Sequence, residues 1–198
     1  MPAETTPRTM NKVIIQMSGA PGSGKSTLAK MLERSIDGAV IIDHDVLRSA
    51  LLESGIPFDQ AAKQAYEQQW KSAQSFVERQ NLSVIIDSTC NYQEVLDRGL
   101  ALAQRPGYSF WYVECKVQNI DLLDQRLRAR IPMKSQRTGV DCPPAAASAC
   151  GARSEEDSRA LFKKWIEHTW RPKANVVIVD STIDSAELRD QVLKQIFG

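Results

Sequence analysis

The chain has 198 residues, 42% of them hydrophobic, enough for one globular domain with a real core and too few to favour a second. Lys plus Arg total 25 against 24 Asp plus Glu, a net charge of +1, so no overall field favours nucleic acid or an anionic membrane. The four cysteines at 90, 115, 142 and 150 follow no metal-ligand spacing, and the chain has only 2 histidines, which argues against a zinc site and for a reduced, cytoplasmic thiol set.

Residues 1–11 are polar, with prolines and no apolar core, and are expected to form a flexible tail rather than a secretory signal. Residues 12–198 are expected to form a single domain. No apolar run reaches the length of a membrane span. Lys12–Ser18 (KVIIQMS) is a β-branched run suited to a buried strand, and Lys25–Arg34 carries Leu28, Met31 and Leu32 at helical spacing. Ala39–Asp43 (AVIID) predicts a second strand ending in an acidic cluster, followed by a helix from about Val46 to Glu53 that Gly55-Ile56-Pro57 breaks. A long helix is predicted over Asp59–Gln80, its core stripe Ala62, Tyr66, Trp70, Ala73 and Val77.

Ser83–Asp87 (SVIID) predicts a third strand with an acid at its carboxyl end, then a polar turn and a helix to about Ala103. Tyr108–Val117 predicts the fourth strand and Asn119–Arg130 the next helix. Residues 131–154 hold three prolines and two glycines, too much punctuation for regular structure. The chain closes with a helix at about 157–169, a fifth strand at Val176–Asp180 and an amphipathic helix at Ser185–Phe197. Alternating strands and helices imply an α/β sandwich whose parallel strands all point their carboxyl ends at one edge, where a site belongs.

Between the first strand and helix lies GAPGSGKST, residues Gly19, Ala20, Pro21, Gly22, Ser23, Gly24, Lys25, Ser26 and Thr27, which fits G-x-x-x-x-G-K-[ST]. The glycines let consecutive N–H groups converge on phosphate oxygens at a helix N-terminus. Lys25 supplies a mobile charge for the β and γ phosphates, and the Ser26 hydroxyl is placed to ligate Mg²⁺. The bland alternative, a glycine-rich turn that binds nothing, does not account for the strand-loop-helix setting. An N-K-x-D guanine signature and an L-S-G-G-Q signature are both absent, and the chain is short for a ring ATPase, which leaves a small kinase.

GAPGSGKST, IIDHDVLRSAL (Ile41–Leu51), VIIDST (Val84–Thr89) and QRLRAR (Gln125–Arg130), in that order, resemble the polynucleotide-kinase, zeta-toxin and chloramphenicol-phosphotransferase group of P-loop kinases. The resemblance covers most of the chain. It implies a P-loop NTPase three-layer sandwich with a central parallel five-stranded sheet and a lid over about 126–156. The implied activity is transfer of the ATP γ-phosphoryl group, with Mg²⁺, to a hydroxyl. It also implies that Asp45, in a D-x-x-R setting with Arg48, is the general base. Asp87 would then hold Mg²⁺ through water. A helix cap is the other role open to Asp45. Asp43 either steers the acceptor or is a solvated strand-end acid.

Arg126 and Arg130 are four apart, the spacing of one helix face, and with Arg128, Lys134 and Arg137 form a basic stretch without an acid. Such a lid suits Arg126 and Arg130 to stabilise charge on the transferred group and Arg137 to hold the nucleotide. A solvated helix face is the alternative. His44 and His168 could carry protons, although a surface histidine is the commoner role for each, and Trp165 or Trp170 could stack on a ring. Asn91, Tyr92, Gln64, Gln68 and Arg48 suggest a polar ligand. The near-neutral charge favours a small-molecule hydroxyl acceptor; a polynucleotide 5′-hydroxyl and a nucleotide-dependent switch without an acceptor are the alternatives, and oligomeric state stays open.

Overall fold

The structure is a computed structural model that describes residues 12–148 and 158–198. The expected tail, Cys150 and the last part of the lid lie outside the described residues. The elements run β1 (Lys12–Ser18), α1 (Lys25–Ser35), β2 (Ala39–Asp43), α2 (His44–Glu53), α3 (Phe58–Gln80), β3 (Ser83–Asp87), α4 (Gln93–Leu102) and β4 (Tyr108–Lys116). They continue through α5 (Ile120–Ala129), α6 (Ala145–Ser148), α7 (Ser158–Glu167), β5 (Val176–Asp180) and α8 (Ser185–Phe197).

Five strands pair in the order β2-β3-β1-β4-β5, every pair parallel. Parallel strands need covering on both faces, and the strand alternation sorts the side chains accordingly. Val13, Ile15 and Met17 of β1 pack on one side with Leu28 and Leu32 of α1 and Val192 of α8. Ile14 points to the other side, where Trp70, Ala73 and Val77 of α3 and Leu96 of α4 meet Phe110 and Tyr112 of β4. The result is the expected three-layer sandwich. A smaller cluster beyond the carboxyl edge joins Leu123 and Leu127 of α5 to Phe162 and Ile166 of α7.

The core stripe of α3 differs from the expected one in its first half. Ala61 and Ala65 are the fully buried positions, whereas Ala62 and Tyr66 line a cleft. α3 packs on α2 as well as on the sheet, and its buried positions in this half lie one residue off the expected stripe. The tract after α5 also holds the single turn α6, and both Ser135 and Val140 within it are buried.

Behind the sheet edge, Glu114 of β4 is buried and receives Arg171 through two bonds, Nε to Oε2 at 2.7 Å and Nη2 to Oε1 at 2.9 Å. Thr169 Oγ1 donates to Oε2 at 3.1 Å. This clasp ties the connection between α7 and β5 to β4. Among the described residues no helix is long and apolar enough to cross a membrane.

Candidate active site

The loop after β1 takes its shape from backbone that only glycine adopts easily. Gly24 caps α1 at φ 91°, and Gly19 sits at φ 128°, where an added Cβ would collide with the Cys115 carbonyl and come within 2.7 Å of Ser23 Oγ. Pro21, Gly22, Gly24, Lys25, Ser26 and Thr27 line a cleft of about 1730 Å³. Gly19, Ala20 and Ser23 of the same motif do not line it. Ala20 and Ser23 are buried under the loop, and the Ser23 N–H closes it on the Ala20 carbonyl at 3.1 Å. Lys25 Nζ donates to the carbonyls of Gly19 at 2.9 Å and Ala20 at 3.0 Å. Burial holds its pKa below the ordinary lysine value, against the pull of Asp87, Cys115 and Asp45.

Three carboxylates stand at the adjoining strand ends. Asp43 and Asp87 are register partners across β2 and β3. Asp43 Oδ1 accepts from the backbone N–H of Asp45 at 2.8 Å and of Val46 at 3.2 Å, so Asp43 caps α2. The helix starts at His44, and the capping role open to Asp45 falls to its neighbour. Burial, reinforced by the negative charge of Asp87, raises the Asp43 pKa to about 6. Burial also raises the pKa of Asp87, against the Ser26 hydroxyl and Lys25, which hold it down.

Asp45 lies in the first turn of α2 with its side chain held from across the cleft. Gln136 Nε2 donates to Oδ2 at 2.9 Å. The Ser135 hydroxyl lies 3.3 Å from Oδ1 and 3.0 Å from the Asp45 carbonyl oxygen. Ser49 of α2 donates to Ser135 Oγ at 2.9 Å and accepts from the Ser135 N–H at 3.1 Å. The segment after α5 therefore crosses to α2 and docks on it.

The basic residues divide. Arg126 donates from Nη2 to the Ser181 carbonyl at 2.9 Å, and Arg130 donates from Nη2 to the Arg137 carbonyl at 2.8 Å. They do not share a helix face: α5 ends at Ala129 and Arg130 is extended, although both line the cleft. Arg137 lines it too, bonded to the Val140 carbonyl at 3.0 Å with its guanidinium 5.5 Å from the Trp165 ring centre. Arg128 is drawn away from the cleft by Asp124 at 2.7 Å and Asp141 at 2.6 Å, and Lys134 is exposed. The stretch without an acid in sequence thus meets acids from either side in space.

Toward the far end of the cleft, Arg48 stacks 3.8 Å above the Phe58 ring centre and donates to the Phe58 carbonyl at 3.3 Å. Tyr66, Asn91 and Tyr92 line this end, whereas Gln64 and Gln68 are exposed outside it. His44 is no surface histidine: it is buried and packs on Tyr66 with ring centres 4.1 Å apart and the rings tilted by 38°, and burial lowers its pKa to about 4. His168 is exposed. Of the two tryptophans considered for stacking, Trp165 lines the cleft and Trp170 does not.

Sequence reading missed Ser49, Ser135, Gln136 and Ser181, none of which has a motif of its own. Among the described residues no cluster of three or more His, Cys, Asp or Glu is placed to hold a metal alone. Ser26 and Asp87 do offer hard oxygen donors side by side, the donor chemistry that Mg²⁺ takes when phosphate and water complete its shell.

A parallel sheet in this strand order, with a phosphate loop ahead of α1 and acids ending β2 and β3, is the architecture of a P-loop nucleotide-binding fold. The chain belongs to the AAA_33 family, described as an AAA domain, which matches residues 14–141. No curated protein matches it in sequence. The fold is shared with a Chloroflexus aurantiacus protein provisionally assigned as a kinase, at a TM-score of 0.68 and 16% identity, over 94% of this chain and 97% of that one. It is shared as well with the APS kinase of Mycobacterium tuberculosis, solved with AMPPNP and APS, at a TM-score of 0.60 and 18% identity over 96% and 99% of the two chains. A gluconokinase from Sinorhizobium meliloti aligns at a TM-score of 0.57 and 18% identity over 96% and 93%.

Proposed function

We propose that this protein is an ATP-dependent phosphotransferase that moves the γ-phosphoryl group to a hydroxyl of a small polar acceptor. The observation that carries the reading is that one cleft holds both Lys25 of the phosphate loop and the carboxylate of Asp45, the latter freed from capping by Asp43. Proteins of like fold include a gluconokinase and an APS kinase, which supports a small acceptor.

Pro21, Gly22, Gly24, Ser26 and Thr27 cradle the phosphates of ATP at the N-terminus of α1. Lys25 exchanges its two carbonyl partners for phosphate oxygens, and Arg126 and Arg130 face charge that develops on the transferred group. Ser26 and Asp87 would hold Mg²⁺, which would neutralise phosphate charge. Asp45 accepts the acceptor's hydroxyl proton. Arg48 and Asp43 orient the acceptor, and Arg137 with Trp165 closes the nucleotide end. With a net charge of +1, the chain has no overall positive field to hold a polynucleotide.

The test is ADP release from Mg-ATP by wild type and Asp45→Asn, alone and with polyols, nucleotide sugars, aminoglycosides and 5′-hydroxyl oligonucleotides. Stimulation of wild type by one small-molecule class, about tenfold or more, with loss in the variant supports the reading. Stimulation by oligonucleotides alone moves it to a polynucleotide kinase. One slow rate whatever is added, equal in both proteins, turns it into a nucleotide-dependent switch.

A further inference from the structure

The carboxylate of Asp45 is oriented by a segment that is remote in sequence. Gln136 lies 91 positions downstream and donates from Nε2 to Oδ2 at 2.9 Å. Its amide is not free to turn over, because Gln136 Oε1 accepts the Met133 N–H at 3.2 Å, which leaves Nε2 as the group facing Asp45. Ser135, buried at 6% exposure, anchors the same segment on α2 through Ser49 at 2.9 Å and 3.1 Å and reaches Oδ1 at 3.3 Å. The single Ser135 hydroxyl proton is shared between the Asp45 carbonyl at 3.0 Å and Oδ1 at 3.3 Å, so the firm donor to the carboxylate is Gln136.

A carboxylate has about four acceptor directions, so the Gln136 donor orients it and still leaves lone pairs for an incoming hydroxyl. Neither donor can take a proton from an acceptor: a primary amide is not a base near neutral pH, and the Ser135 hydroxyl is engaged with α2. The segment also runs directly between two cleft-lining arginines. Arg130 precedes it, and the Arg137 carbonyl that follows it receives Arg130 Nη2 at 2.8 Å. The Arg130–Arg137 bond therefore closes the stretch into a loop, with Ser135 and Gln136, which meet Asp45, just ahead of its closing residue.

We infer that Gln136, seated by Ser135 on Ser49, is a positioning residue for Asp45. Docking of the segment 131–137 on α2 is what sets the base for proton transfer, so that closing the site and arming it are one event. This rests on Asp45 being the base. A merely structural contact would stabilise the segment without linking the two side chains in the rate.

The test is a four-member cycle of wild type, Asp45→Asn, Gln136→Leu and the double variant. ADP release from Mg-ATP is measured with glycerol as the hydroxyl probe and with water alone. Backbone amide exchange across 131–140 is followed in the same four proteins. Gln136→Leu is expected to lower the glycerol-dependent rate about 10- to 100-fold, the scale of a misplaced catalytic group, with nucleotide affinity unchanged. In the Asp45→Asn background it should lower the rate no further, and each single variant should speed exchange in the segment as much as the double one does. Losses that multiply in the double variant, or exchange that one of the single substitutions leaves untouched, overturn the proposal while the base reading stands. An Asp45→Asn protein as fast as wild type overturns the base reading and the positioning role with it, even where exchange is coupled.

Discussion

Asp43 and Asp45 divide two tasks that a single aspartate at a helix start often combines: Asp43 Oδ1 takes the Asp45 N–H at 2.8 Å, and the Asp45 carboxylate turns to the cleft. Substitution should separate them. Asp43→Ala removes the cap and should lower stability by about 1 kcal/mol. Asp45→Asn should leave thermal unfolding within about 1 kcal/mol of wild type, the net worth of an ordinary hydrogen bond. It should lower acceptor-dependent ADP release on the order of 10²- to 10⁴-fold, the range for loss of a general base. Melting curves and turnover measured on both variants check the division, and a heavily destabilised Asp45→Asn protein would contradict it.

His44 gives a pH signature. Its folded pKa is lowered to about 4 from the ordinary histidine value of 6.5, chiefly by burial, with Arg48 adding to the fall and Asp45 opposing it. Below pH 6.5 the unfolded chain takes up a proton that the folded protein refuses, so the stability tied to neutral His44 is full above that value and lost as pH falls towards 4. At 1.36 kcal/mol per unit, the loss is on the order of 3 kcal/mol. His44→Phe keeps a ring against Tyr66 and cannot titrate. Melting temperatures of wild type and variant, compared between pH 7 and about 4, should diverge in the variant's favour as pH drops; a constant difference would show that His44 does not carry the effect.

At the phosphate loop the sensitive position is Gly19, at φ 128° and packed under the Cys115 carbonyl. Gly19→Ala combines left-handed strain with a backbone collision, so a loss of about 1–3 kcal/mol is expected from strain alone. The loop must also move, and nucleotide affinity should fall with it. Calorimetric titration with ATP beside chemical denaturation reads both, and a variant that binds ATP as wild type does would show that the loop tolerates the methyl group.

Glu114 and Arg171 predict an asymmetry. The Glu114 side chain is 2% exposed and Arg171 is 37% exposed, so water reaches only the arginine side of the pair. Arg171→Met strands a buried carboxylate and should be destabilising by about 3 kcal/mol, the low end for breaking a buried pair. Glu114→Gln combined with Arg171→Met should recover most of it, because no buried charge remains. Equal losses in the single and double variants, measured by urea unfolding, would contradict this account.

Much of the site was legible because its backbone is local. The phosphate loop, the acids at 43, 45 and 87 and the five strands were all placed from short runs of residues, and the strands fall where expected to within one residue. The partners were not legible. That Asp43 takes the cap depends on where the chain turns out of β2. That Ala61 and Ala65 replace Ala62 in the core depends on α2 lying beside α3. That Arg128 leaves the cleft depends on Asp141 arriving through the loop that follows it.

The sequence by itself determined that a phosphate-binding loop follows the first strand and that parallel strands bring their acidic ends to one edge, because glycine conformations and strand patterning act over a few neighbouring residues. Only the tertiary structure decided what each acid touches there. Gln136 meets Asp45 across 91 residues of chain, and Ser135 meets Ser49 across 86. Contacts at such separation follow from how elements pack, and packing depends on the whole set of buried side chains rather than on any motif.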